Sequence, residues 1–495
     1  MAWSYDKSLE RVQKKLDEVQ DVEVSKLSRE MDFQNISLKH AKKVYGAHLY
    51  IDVPNFGDVL SKAAENGDEG EVLRVLHIHA RELTRVVEKD FGSAKVHFQG
   101  PKLHAVVYRP IDNDEEIAKT AVLLAACVDR TVQALNDFSD IGDFEVAAGA
   151  DLGDAVATMN NVAGDRELLF LGSPANVAAK IIRTGIRVTS RVADALPDDY
   201  NSYLNDLGNG VSYVELGSDD VDDLLEDEDF TWSLKQSEER LKEDFECYST
   251  DGVKISGTQG QIDKSKLGLA NTKRVTGVSV FVDVDGFTKY VEEAYAEDED
   301  LVEAVGSYHV FRSEMRFVAV DDYGALRVQY QGDRMQAVVF LPVDDESEIA
   351  LRAVQLAAGI NSSVAETLAE VIPDGVRPVA TGSDLGEALL SRLGERGQPD
   401  VMCIGEATEN AASFQLKLDG KEIGISKQMK DLLPDDLAAE FKWVSEKGCY
   451  VARDLTADRV ERLLEGARMD ARVASPVTTR ERGVTSGRPW QAERA

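Results

Sequence analysis

The stretch VSVFVDVDGF, from Val278 to Phe287, decides the fold of this 495-residue chain. It is an apolar run that ends in aspartate, glycine and phenylalanine, a pattern typical of a buried strand that enters a turn. A related stretch, YGAHLYIDVPNF, lies about 230 positions earlier, from Tyr45 to Phe56. Self-similarity at this spacing indicates that one domain has been duplicated.

Further pairs of landmarks follow in the same order in both halves. They are FQGPKLHAVVY (Phe98–Tyr108) with YQGDRMQAVVF (Tyr330–Phe340), GADLGDA from Gly149 with GSDLGEA from Gly382, and LPDD from Leu196 with LPDD from Leu433. Their separation drifts slowly, as small loop insertions would produce. We therefore predict two like modules packed on each other, with a shared cleft as the natural place for chemistry.

Composition narrows the range of partners. The chain has 90 acidic and 56 basic residues and a net charge of −34, so its surface should repel nucleic acid and anionic membranes. Its four cysteines are widely scattered, which argues against a disulfide framework or a zinc cluster. The start of the chain lacks the apolar core of a signal peptide, and no long apolar run follows. These features predict a cytoplasmic protein.

Changes in pattern along the chain predict five segments. They are an N-terminal amphipathic helix (1–40), a first module (41–217), an acidic linker with a helix (218–272), a second module (273–455) and a partly disordered tail (456–495). The N-terminal helix could pair with a partner chain, pack on the first module or remain a solvated cap. The order of strands and helices in each module predicts an α+β fold, with helices on one face of a mostly antiparallel sheet.

Two aspartates of the second module are candidate metal ligands. Asp283 ends the apolar strand, and Asp333 lies at the tip of a hairpin that should pair beside it. Carboxylates at adjacent strand ends form the oxygen ligand set that Mg²⁺ or Mn²⁺ prefers. The backbone of the turn at Gly286, Phe287 and Thr288 could bind phosphate groups of a substrate. Aspartates at turns more often cap the backbone, so spacing alone leaves both interpretations open.

Together, FVDVDGFT and YQGDRMQAVVF resemble the metal-binding signature of the class III nucleotidyl cyclases. The likeness extends through both modules, over about 350 residues. It implies a ferredoxin-like βαββαβ core and two modules paired head to tail, with metal ligands from one module and ribose and transition-state groups from the other. It also implies a metal-dependent cyclase that uses two Mg²⁺ or Mn²⁺ ions, held by Asp283 and Asp333 with help from the Val284 carbonyl.

Each module departs from the family pattern in a different way. In the first module Pro101 replaces the hairpin aspartate, but Asn176 and Lys180 match the family's asparagine and basic residue on one helical face. The second module keeps Asn410 but has Phe414 in place of the cation. The resemblance thus implies a pseudo-heterodimer with one live site and one degenerate site. In the live site Asn176 would orient the ribose, and Lys180 would offset charge on the pentacovalent phosphorus.

The base-recognition positions match neither purine code of the family. The adenylyl and guanylyl enzymes carry their specificity residues where this chain has His97 and Leu169. Tyr50, two residues before Asp52, should point toward the cleft, and its hydroxyl group can pair with the O4/N3 edge of uracil. These features resemble the pyrimidine cyclases of the Pycsar anti-phage systems, with Tyr50 and His97 as substrate contacts. A tyrosine at this position is equally consistent with a plain core residue.

The resemblance implies that UTP is converted to the 3′,5′-cyclic monophosphate, a second messenger read by a separate cyclic-nucleotide-gated effector. Two alternatives stay open: a class III adenylyl cyclase with an unusual base pocket, and a noncatalytic nucleotide-binding regulator. Because the tandem chain carries both halves of the interface, an intramolecular pseudo-dimer should suffice. Further homodimerisation through the N-terminal helix is left open.

Overall fold

A computed structural model describes residues 2–28, 33, 36–162, 165–226, 228 and 230–474. The strands of its first half are β1 (Glu23–Lys26), β2 (His40–Asp52), β3 (Ala94–Gln99), β4 (Lys102–Val107), β5 (Ala147–Val162), β6 (Asp165–Leu171), β7 (Gly185–Thr189), β8 (Leu204–Asp206) and β9 (Val211–Val214). Those of the second half are β10 (Ile255–Ser256), β11 (Thr272–Val284), β12 (Leu326–Gln331), β13 (Arg334–Val339), β14 (Val379–Leu393), β15 (Asp400–Ile404), β16 (Glu422–Ile425), β17 (Lys442–Val444) and β18 (Cys449–Arg453).

The helices repeat in the same manner. The first half has α1 (Tyr5–Val19), α2 (Phe56–Asn66), α3 (Glu69–Arg85), α4 (Asp114–Asn136), α5 (Ser173–Ile181), α6 (Ser190–Ala193) and α7 (Ser218–Glu226). The second has α8 (Leu234–Cys247), α9 (Phe287–Ala294), α10 (Asp298–Arg316), α11 (Glu346–Ser363), α12 (Ala369–Val371), α13 (Glu406–Gln415), α14 (Lys427–Leu432), α15 (Asp435–Ala438) and α16 (Ala457–Ala474). None of the described helices has both the length and the apolarity needed to span a bilayer. The end of the predicted tail, 475–495, lies outside the described residues.

Each half forms one nine-stranded sheet, and the two sheets have the same topology. The order is β3-β4-β2-β5-β7-β9-β8 in the first half and β12-β13-β11-β14-β16-β18-β17 in the second. Most neighbouring strands are antiparallel; the parallel pairs are β1 with β2, β5 with β7, β10 with β11 and β14 with β16. The predicted α+β fold with tandem modules is confirmed.

The central strand and the hairpin place the predicted metal ligands side by side. Strand β11 pairs antiparallel with β13, with Val282 opposite Met335. The turn between β12 and β13 contains Gly332 at φ +62°, a left-handed conformation that glycine adopts without strain. Tyr308 of α10 donates a hydrogen bond to the Gly332 carbonyl at 2.6 Å and holds the tip in place. This register brings Asp333 beside the end of β11.

The two halves exchange their leading helices. Helix α1 precedes the first module but packs against α10 of the second, and the Trp3 indole donates to the Ser363 hydroxyl at 2.7 Å. Helix α8 precedes the second module but packs against α3 and α4 of the first, where the Trp232 indole donates to Thr131 at 3.3 Å. Of the three alternatives left open for the N-terminal helix, packing on the first module and a solvated cap are both ruled out, because the helix packs on the second module.

A buried ion network fixes each exchanged helix. In α1, Arg11 binds the carboxylates of Glu314 at 2.7 Å and Asp322 at 2.9 Å. In α8, Arg240 does the same to the corresponding pair of the first half, Glu82 and Asp90, at 2.7 Å each. The repeat therefore includes the helices, as the motif shared by WSYDKSLER (3–11) and WSLKQSEER (232–240) shows. This part of the repeat was not predicted from the sequence.

Candidate active site

A narrow cleft between the two halves contains most of the predicted site residues. The first half contributes Tyr50, His97 and Asn176, and the second contributes Phe287, Thr288 and Asp333. The cavity between them measures about 20 Å³, so a nucleotide can enter only if the walls separate. Beyond His97, the cleft adjoins a larger cavity of about 990 Å³.

Two half-buried carboxylates of the second half lie together at the floor of the cleft. Burial raises the pKa of Asp333 well above its usual range, and the neighbouring charge of Asp283 raises it further. Burial also raises the pKa of Asp283. The Lys180 ammonium group, from the first half, lies close enough to lower the pKa of both carboxyls. The predicted metal pair and the predicted cation therefore meet across the interface, and Val284 is the last residue of β11 beside them.

These residues fit a divalent cation that is bound jointly with a substrate. Among the described residues, no group of three or more His, Cys, Asp or Glu side chains could hold a metal ion alone. Mg²⁺ commonly binds through one or two protein carboxylates and completes its shell with substrate phosphates and water. A dication between Asp283 and Asp333 would relieve the repulsion that raises the pKa of Asp333.

Asn176 connects the halves directly. Its amide donates a hydrogen bond of 2.5 Å to the hydroxyl of Thr288, which lies in the first turn of α9. Helix α5, which carries Asn176, begins with Ser173 and Pro174, and its last turn presents Lys180 to the cleft. Asn176, predicted to contact the ribose, lines the cleft, and its amide is engaged by Thr288.

Two polar residues of the carboxylate floor were not predicted. Arg334, next to Asp333, stacks over the Phe281 ring at 4.8 Å and donates to Gln331 at 2.5 Å. Its charge lowers the pKa of Asp283, as does a hydrogen bond from Gln415. Alignment of the two hairpins would have found Arg334, because a cation follows the turn in both YQGDR and FQGPK.

The wall opposite the carboxylates is aromatic and carries neutral histidines. The ring of Tyr50 stacks on that of His104, with centroids 4.3 Å apart and planes 7° apart, and His97 lies edge-on to Tyr50. His48 Nδ1 lies 3.1 Å from His104 Nε2. Burial lowers the pKa of His48 and of His97 to about 3, so both rings are uncharged at neutral pH. His104 was not predicted, because its contact with Tyr50 is between strands.

The repeat creates a second, equivalent site around Asp52 of the first half, and side chains of the protein fill it. Lys102 forms an ion pair with Asp52 at 2.8 Å, and Pro101 stands where a second carboxylate would be needed. A Cβ atom on Gly57, in the first turn of α2, would lie 2.8 Å from the Glu409 carboxylate. A cation and an anion of the chain therefore occupy the region equivalent to the metal and phosphate positions.

Known proteins resemble this chain over most of its length. Two curated relatives are both named uridylate cyclase. The one from Pseudomonas aeruginosa is 27% identical over 460 residues, covering 87% of this chain and 86% of its own. The one from a Rhizobium species is 26% identical over 395 residues and covers 75% of each chain. No known protein-family profile matches the chain.

A solved structure shares the whole architecture. It is a crystal structure of a class III adenylyl cyclase-like ATP-binding protein from Pseudomonas aeruginosa, with a TM-score of 0.82 and 25% identity over 94% of this chain and 99% of that one. The predicted resemblance to tandem class III nucleotidyl cyclases is confirmed, and the likenesses support a nucleotide cyclase. The roles of individual site residues and the domain limits stay predictions.

Proposed function

We propose that this chain, a relative of uridylate cyclases with the tandem class III cyclase fold, converts UTP to 3′,5′-cyclic UMP and pyrophosphate. One observation carries the proposal. The Asp283 and Asp333 carboxylates of the second half lie within electrostatic reach of Lys180 of the first half, in a cleft lined by Tyr50. Neither half contains this combination by itself.

The residues support an intramolecular displacement. The 3′-oxygen attacks the α-phosphorus, a new oxygen–phosphorus bond forms, the bond to pyrophosphate breaks and the hydroxyl proton is lost. Asp283 and Asp333 would hold divalent cations, which would supply positive charge for the phosphate oxygens and lower the pKa of the attacking hydroxyl. Asn176 exchanges its bond with Thr288 for the ribose, and Lys180 stabilises the charge that develops on phosphorus.

The neutral aromatic wall supports a pyrimidine substrate. Tyr50 and an uncharged His97 each offer a donor and an acceptor, which suits the alternating O4 and N3–H groups of uracil. Leu169 offers no polar group at the position where adenylyl cyclases carry an aspartate, and it is buried. The amino or keto group of a bound purine would therefore have no polar side chain at position 169 to pair with.

The test compares four substrates and two variants. The full chain is incubated with ATP, CTP, GTP or UTP and Mn²⁺, and the products are separated by chromatography. Cyclic UMP should dominate. Asp333→Asn should lower its yield by at least about 100-fold, whereas the matched variant Asp52→Asn in the degenerate site should retain activity within about threefold. Cyclic AMP as the main product, or unchanged output from Asp333→Asn, would refute the proposal.

We also propose that the product is a second messenger in antiviral defence and that a separate cyclic-nucleotide-gated effector reads it. This rests on the likeness to uridylate cyclases. Phage plating on cells that carry the chain with its neighbouring genes should show protection that Asp333→Asn removes and Asp52→Asn retains. Equal protection by both variants would separate any defence role from the cyclase reaction.

A further inference from the structure

A small cavity behind the active-site hairpin is lined by positively charged side chains. It lies between α1 and α10 and measures about 10 Å³. Its lining residues are Lys15, Leu38, His309, Arg312, Ser313, Arg316 and Tyr330. A cavity of this size holds one water molecule or one ion of similar radius.

Arg312 is the least compensated of these cations. Its side chain is 3% exposed, and its guanidinium group stacks on the Tyr330 ring at 4.4 Å and the Tyr308 ring at 5.4 Å. Its side-chain hydrogen bond within the described chain is a long one, 3.5 Å to the Tyr308 hydroxyl. Among the described residues, no carboxylate lies within ion-pair distance of it. Burial of a charge is unfavourable unless a counter-charge accompanies it.

The other two cations have partners that face solvent. Lys15 contacts Glu18 at 3.2 Å, and Arg316 contacts Asp321 at 3.2 Å. The two carboxylates are 49% and 50% exposed, so water screens them. Buried His309 has a pKa well below its usual range because of desolvation, with Arg312 and Lys15 contributing, so it adds no fourth charge. The cavity keeps an excess of positive charge.

The equivalent position in the first half carries a negatively charged side chain. In the register set by the shared WSxxxSxER motif, Lys15 of α1 corresponds to Asp244 of α8. Asp244 accepts hydrogen bonds from Arg81 at 3.0 Å and Arg85 at 2.8 Å, so its carboxylate bridges two arginines at the junction of α8 with α3. Glu82 and Glu395 supply further negative charge beside the same arginines. In the second half the junction also presents two arginines, but the helix contributes a lysine instead of the aspartate.

We propose that this cavity binds a single chloride-sized inorganic anion, held by Lys15, Arg312 and Arg316. The anion takes the place that the Asp244 carboxylate has in the first half. It supplies the counter-charge that α1 lacks and thereby fastens α1 to α10. Larger anions such as carboxylates of metabolites exceed the space available.

Thermal unfolding of the full chain tests the site without any assay of catalysis. At equal ionic strength, the Tm should be higher in sodium chloride than in sodium gluconate by a few degrees, about the shift expected for a bound ion. Lys15→Asp supplies a carboxylate at the position of Asp244 and should make the Tm insensitive to chloride. Lys14→Asp makes the same charge change on the exposed side of α1 and should keep the dependence.

Crystals of the full chain grown with sodium bromide give an independent measurement. An anomalous difference peak should lie between Lys15 and Arg312, and it should be absent from crystals of Lys15→Asp. Equal Tm values in the two salts, no peak in the cavity, or a chloride dependence that Lys15→Asp leaves intact would each overturn the proposal.

Discussion

At the scale of single residues, Tyr50 is the side chain that we propose selects the base. Its ring is fixed by stacking on His104, so the position of its hydroxyl group is set by the sheet and not by the ligand. Burial and the nearby charge of Asp333 raise its pKa, so the hydroxyl stays protonated and can donate as well as accept. Arg334 lies close enough to oppose this shift. The residue is therefore preorganised for a neutral, polar base edge.

Tyr50→Phe should isolate this contribution. The variant keeps the stacked ring and removes one hydrogen bond, so kcat/KM for UTP should fall by roughly tenfold, equivalent to about 1.4 kcal/mol. The preference for UTP over ATP should fall with it. Steady-state kinetics with both nucleotides provides the measurement, and a variant with unchanged preference would mean that Tyr50 is a core residue only.

At the scale of elements, the exchanged helices depend on buried ion networks. Glu314 is 1% exposed, and burial raises its pKa, whereas Arg11 lowers it. Removal of the arginine would leave this carboxylate and Asp322 buried without their partner. Such a deletion is far more costly than the net contribution of the intact pair.

Arg11→Ala should therefore lower the free energy of unfolding by about 3–5 kcal/mol. Without Arg11 the pKa of Glu314 rises further, and a protein that holds a carboxyl group with a raised pKa in its folded state loses stability as the pH increases toward that value. The deficit should thus be larger at pH 8 than at pH 5. Urea denaturation at both pH values measures this deficit. Lys14→Ala, on the exposed face of α1, is the control. An Arg11→Ala deficit that is equal at pH 5 and pH 8 would contradict this account.

The sequence predicted those features that a local motif encodes, and it did not predict contacts between residues distant in sequence. The duplicated strand and hairpin motifs predicted the sheet, and the complementary losses at Pro101 and Phe414 predicted which half supplies which group. Helical periodicity identifies the buried face of α1 but not the element that covers it. His104 and Gln415 were missed for the same reason, since they act through neighbours distant in sequence.

At the scale of the whole molecule, the two repeats form a single cooperative unit. Each contributes a helix to the core of the other, and the proposed active site draws residues from both. Co-expressed fragments 1–229 and 230–495 should therefore elute together as a 1:1 complex with cyclase activity. Neither fragment should be active alone, because the second lacks Asn176 and Lys180 and the first lacks Asp283 and Asp333. Activity in either isolated fragment would rule out a composite site.

The helix exchange also has a consequence for biosynthesis. Trp3 leaves the ribosome well before its partner Ser363, which lies 360 residues downstream. At ordinary elongation rates, α1 is synthesised on the order of 20 to 70 s before the surface that it covers. A polypeptide that ends before Ser363, because of a nonsense codon or a broken message, cannot form this contact between Trp3 and the second half.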